Sequence, residues 1–177
     1  MNQTSPTNPP GMQQYSRMSE IARLLRRVKL GANNYYWIAG LSVINSLIAI
    51  FGNDTRFVIG LAITQVIDAL ASIMSEGTTG NLRASILTLG FILDMVIAGM
   101  FVLFGIFASR GKRWAFWTGV VLYAVDTLLL LAVMDIFGIA FHIYLLWGVV
   151  SGLVALHKLD KIYKAESPLD FPTDIGP

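Results

Sequence analysis

The chain has 177 residues and no cysteine, which excludes disulfides, thiolate nucleophiles and cysteine-ligated metals or clusters. Charge is scarce at 14% of residues, and only two histidines are available as nitrogen ligands. The polar, proline-containing start, "MNQTSPTNPPGMQQYS", has no apolar core directly behind it and so lacks the form of a signal peptide. Residues 1–15 are expected to be a disordered tail. Nothing in the charge pattern calls for a nucleic-acid partner. What the chain does have is apolar surface: 55% of its residues are hydrophobic and its mean hydropathy is +0.63, outside the range of soluble domains. The expected fold class is all-α, a transmembrane helical bundle with the lipid bilayer as its first partner.

In residues 16–31, "SRMSEIARLLRRVKLG", Ile21, Leu24, Leu25 and Val28 recur at helical spacing among Arg17, Arg23, Arg26, Arg27 and Lys29. This is a basic amphipathic cytoplasmic segment, either a helix on an anionic membrane surface or a charged stub that fixes orientation. A membrane domain is expected over residues 35–159. Residues 160–177 end in an acidic, proline-containing stretch and are expected to be a cytoplasmic disordered tail.

Five apolar stretches, 35–51, 57–74, 85–108, 114–134 and 136–156, approach the ~20 residues needed to cross ~30 Å of hydrocarbon. Charge decides among the topologies. Five crossings divide the 13 Lys and Arg six against seven, whereas four crossings, with 57–74 not crossing, divide them eleven against two. Short cytoplasmic loops retain Lys and Arg, so four crossings with both termini cytoplasmic is the expected topology, and five crossings the alternative. Tyr35, Tyr36, Trp37, Trp114 and Trp117 lie beside the basic clusters, where an interfacial aromatic belt is expected. Asp135 marks a tight outer turn.

The stretch 57–74 then becomes an outer-side re-entrant or interfacial helix. Gly60, Thr64, Gln65, Asp68 and Ser72 form one stripe along it, able to face protein or water. "SEGTTGN" behind it has the composition of a flexible loop.

The segments "YYWIAGLSVINSLIAIFG", "FVIGLAITQVID", "WAFWTGVVLYAVD" and "FGIAFHIYLLW" resemble a family of small bacterial polytopic inner-membrane proteins to which no activity is attached. The resemblance covers about residues 29–159. It implies a multi-pass protein of the bacterial inner (plasma) membrane and adds no substrate, cofactor or site.

Ionisable side chains within a bilayer are costly unless they face the bundle or water, which makes each a functional candidate. Here these are Asp94, Asp126 and His142, joined by Asn45. Each lies on a stripe of small residues: Ser42, Asn45, Ser46 and Ala49; Gly90, Asp94 and Ala98; Ala115, Gly119 and Asp126; Gly138, His142 and Gly152. Such stripes let membrane helices approach closely, so the four polar groups are expected to share a pocket in the outer half of the membrane, with Gln65 and Asp68 above it as a lid. The pocket suits a cation, a proton or a small polar solute, bound or translocated.

Two other readings use the same residues. One is a membrane-embedded hydrolase or transferase acting on a lipid-type substrate, but no catalytic set is identified. The "GxGD" context of aspartyl intramembrane proteases is absent, and "GVVSG" is one residue longer than "GxSG". The other is a non-catalytic assembly or regulatory subunit. One His with carboxylates lacks the paired-His spacing of zinc motifs, and no cofactor is called for. A homo-oligomer or a membrane-protein partner is expected, since four helices alone rarely enclose a pathway.

Overall fold

The computed structural model describes residues 10–50, 60–132 and 135–166. Residues 1–9, 51–59 and 167–177 lie outside the described residues, and residues 160–166, expected to begin the disordered tail, are helical instead. Among the described residues the chain forms five α-helices and no strand. These are α1 (Pro10–Ile50), α2 (Ala62–Ser75), α3 (Gly80–Ser109), α4 (Arg113–Ala132) and α5 (Ile136–Glu166). Three of them, α3, α4 and α5, are long and apolar enough to cross a membrane. At 14 residues, α2 is about half the length of α3 or α5.

Helix α1 is one continuous element of 41 residues, and this changes three expectations. It begins at Pro10, within the stretch read as a tail. Residues 16–31 are not a separate surface helix but its first half, and Leu24 and Val28 are buried in the same apolar cluster as Leu153, Leu156 and Leu159 of α5. Tyr35 is not part of an aromatic belt. It is fully buried among Phe101, Phe104 and Phe116, and its hydroxyl donates to the Phe116 carbonyl at 2.8 Å. The common cause is periodicity: Leu24, Val28, Gly31, Tyr35, Ser42 and Ser46 recur every three, four or seven residues and so share the face turned to the bundle. Trp37, Trp114 and Trp117 remain exposed.

Glycines set the helix spacing. A Cβ on Gly31 would come within 2.6 Å of the Gly152 Cα, and one on Gly152 within 2.8 Å of the Gly31 Cα, so α1 and α5 cross in backbone contact. A Cβ on Gly119 would collide with the Tyr35 ring, so α4 makes room for that side chain. A Cβ on Gly90 of α3 would stand 3.0 Å from the Ala71 Cβ of α2.

The basic clusters at 17–29, 110–113 and 158–164 lie at one end of the bundle. Arg113, at the start of α4, forms an ion pair with Asp160 near the end of α5. The α3–α4 turn reaches the same level, since a Cβ on Gly111 would meet Leu156 at 3.7 Å. Leu24 and Val28 bring the basic half of α1 there too. The α2–α3 turn is at the opposite end. It is shorter than the loop read from "SEGTTGN", because Ser75 closes α2 and Gly80 opens α3. Gly77 and Gly80 hold left-handed φ of 76° and 62°, which lets the chain reverse within a few residues.

Candidate functional site

The stripes of small residues become the buried faces of their helices. Ser42, Asn45 and Ser46 on α1, Asp94 on α3, Asp126 on α4 and His142 on α5 are all buried. Their levels agree. Ser42 is 11 residues beyond Gly31 and His142 is 10 residues before Gly152, so both stand ~16 Å from the glycine crossing, towards the far end of the bundle. Asp94 is 14 residues, or ~21 Å, into α3. That is deeper than its apolar run suggested, because α3 begins at Gly80.

The polar groups form two sets, whose α1 members, Ser42 and Ser46, stand one turn apart. In the first, Asp126 takes up the N-terminus of α2. Its Oδ2 accepts from the Ala62 amide and its Oδ1 from the Ile63 amide, both at 2.9 Å. The Leu61 amide donates to Ser42 Oγ at 2.9 Å, while that hydroxyl donates to the Ile38 carbonyl. A helix start leaves its first amides without partners, and leucine at the N-cap position has no side chain to supply them. Two other helices do so instead, and a carboxylate at this position also complements the helix dipole. Each such amide left bare in the interior would cost ~1–3 kcal/mol.

His142 completes this set. Its Nε2 lies 3.0 Å from Asp126 Oδ2, its Nδ1 lies 2.8 Å from the Gly138 carbonyl, and its ring stacks on Tyr123 with centroids 4.7 Å apart. A carbonyl only accepts, so Nδ1 carries a hydrogen. Nε2 therefore meets the carboxyl favourably only when one further proton lies between them.

The second set lies between α1, α2 and α3. Ser46 Oγ donates to Asp94 Oδ2 at 2.8 Å. The Asp68 carboxyl reaches Asp94 from α2 and stands within hydrogen-bonding distance of it. The backbone explains the meeting. Ala71 and Gly90 touch where α2 and α3 run closest, and Asp68 and Asp94 are each about one turn further along their antiparallel helices. Asp94 Oδ1, Asp68 Oδ2 and Gln65 Nε2 are enclosed and have no hydrogen-bond partner.

The structure thus brings Asn45, Asp94, Asp126, His142 and Asp68 to one region, but not as a pocket under a lid. The start of α2 is embedded between Ser42 and Asp126, and Asp68 meets Asp94 from the side. Asn45 packs against Gly60, whose Cβ would stand 3.1 Å from that of Asn45. The predicted stripe on α2 holds for Thr64, which is buried, and fails for Ser72, which is exposed while Ala71 and Ser75 turn inward. Asp135 stays outside the cluster. Its Oδ1 accepts from the Gly138 amide at 3.1 Å and caps α5.

Sequence reasoning named Ser42 and Ser46 only as small residues and missed their polar roles. It also missed Tyr123 and the amides of residues 61–63. Spacing signalled the serines, since both fall on the stripe of Asn45, whereas no side-chain pattern reveals a backbone amide. Among the described residues no group of three or more His, Asp or Glu is placed to hold a metal ion. Comparison with protein families, curated proteins and solved structures finds no match to this chain.

Proposed function

We propose that this chain is a four-crossing protein of a bacterial inner membrane whose buried polar centre binds and moves a proton or a small cation. In this reading α1, α3, α4 and α5 cross, and α2 is re-entrant, starting at mid-depth and returning to the outer side. The gathering of every basic cluster at one end supports cytoplasmic termini, because Lys and Arg are retained on that side. Irregular backbone and helix ends at membrane depth are tolerated where protein buries them, as Ser42 and Asp126 bury the start of α2.

The observation that carries the functional reading is that the centre consists of two contacts, Asp126–His142 and Asp68–Asp94, each of which needs a proton to be favourable. Polar side chains in direct contact, 3.0 Å apart at His142 and Asp126, suit protons and bare ions, whereas a larger solute would have to separate the helices. Helix starts at mid-depth beside ionisable side chains are also how membrane transport sites are built.

Reconstituted vesicles with a pH-sensitive dye inside test the reading under an imposed potential. The wild-type chain should acidify or alkalinise the lumen according to the sign of the potential. Asp94→Asn and Asp126→Asn, inserted normally, should fall to the rate of empty vesicles. Full flux in both variants would refute the proposal.

A further inference from the structure

The contact between Asp68 and Asp94 is not explained by helix clamping. Ser46 already satisfies Asp94 Oδ2 with a good hydrogen bond, as a clamp would require. What remains is Asp94 Oδ1, on a side chain 1% exposed, without any donor, and Asp68 Oδ2, an enclosed atom of a half-buried side chain, also without one. Buried oxygens without donors are costly, and two ionised carboxylates in contact are more so. Among the described residues no Lys or Arg stands near enough to form an ion pair with either. From Trp37 to Ile50, α1 has no ionisable side chain, and the acid and base on α4 and α5 at this level, Asp126 and His142, are paired with each other. Gln65, one turn before Asp68 on α2, also holds an enclosed amide group without a partner.

We propose that Asp68 and Asp94, supported by Ser46, form a binding site for one small alkali cation, sodium or lithium, in exchange for the proton the two carboxyls share. The proposal rests on the proton-or-cation reading above and names the competing ion.

The exchange balances. The O–H bond of the shared proton breaks and the proton leaves to water. The cation takes its place between Asp94 Oδ1 and Asp68 Oδ2, and the pair keeps a charge of minus one throughout. Charge conservation favours a monovalent ion, because changing the net charge of a buried site is expensive. An all-oxygen donor set favours a hard cation over zinc or copper. The side-chain amide of Gln65 offers a further oxygen once its two ends exchange, which a terminal amide does by rotation.

The test uses the purified full chain in detergent, with sodium chloride titrated against N-methylglucamine chloride at constant ionic strength. Calorimetry should show one sodium ion bound per chain and one proton released, the latter read from buffers of different ionisation heat. Infrared difference spectra should show loss of a protonated-carboxyl C=O band on adding sodium. Apparent sodium affinity should fall about tenfold for each unit of pH lowered while the pair remains protonated in the absence of sodium. Asp94→Asn and Asp68→Asn, with unchanged helical content, should abolish both signals. Ser46→Ala should keep binding but weaken it about five- to tenfold.

Sodium heats identical to those of N-methylglucamine, binding without proton release, or full binding in Asp94→Asn would each overturn the site. Proton flux in vesicles that is unaffected by sodium would overturn the site while leaving the proton reading intact. Sodium binding with no flux of either ion would uphold the site and remove the transport reading.

Discussion

His142 and Asp126 face each other across 3.0 Å with almost no solvent contact, and the same carboxylate holds two amides of α2. One side chain thereby fixes a helix start and orients an imidazole. Replacing Asp126 should release both, whereas replacing His142 should release only one. Asp126→Asn is expected to cost about 3 kcal/mol of stability, read by titration with a denaturing detergent, and His142→Asn less. Equal losses would mean that the helix start contributes nothing.

Ser42→Ala removes the acceptor of the Leu61 amide and leaves the helix start otherwise held. The expected loss is about 1 kcal/mol, and amide exchange at Leu61 should quicken about fivefold while that of core positions in α1 and α5 is unchanged.

The glycines divide into two kinds, which substitution should separate. Gly31→Ala or Gly152→Ala forces a methyl group against backbone and should cost about 1–3 kcal/mol. Gly40→Ala and Gly99→Ala, where nothing stands within 4 Å of the new Cβ, should cost nothing measurable. Thermal unfolding of the four variants checks the order.

Topology is open to a direct check with a membrane-impermeant thiol reagent, since the chain has no cysteine of its own. A cysteine at Thr79 should label from outside in intact cells, and cysteines at Lys112 and Ala165 only after lysis. Lys112 is a better probe than Gly111, whose left-handed φ of 75° would strain any substitution. Outside labelling at Lys112 would support five crossings.

The helical class and the burial of Asn45, Asp94, Asp126 and His142 were legible in the sequence, because small residues at helical spacing record where helices approach. Tyr35 was misjudged because an aromatic beside a basic cluster fits a membrane interface equally well. Only the collision awaiting a Cβ at Gly119 shows that α4 leaves it a cavity. The basic half of α1 was misjudged for a related reason: an amphipathic stripe does not reveal whether lipid or α5 will cover it. The seat of α2 could not be read, because its N-cap is a leucine and its partners stand on α1 and α4, far away in the chain. Pairing between distant segments leaves no trace in local pattern.

The backbone contact of Gly31 with Gly152 has a mechanical consequence. Two helices that touch without intervening side chains have no layer between them to repack, so α1 and α5 are held at a fixed separation and form a frame. Helix α3 is held to α1 just as closely, with Gly105 against the Tyr36 ring, so any rearrangement that exposes the centre falls to the short helix α2, turning on the glycines behind it. An ion held between Asp68 and Asp94 would tie α2 to that frame.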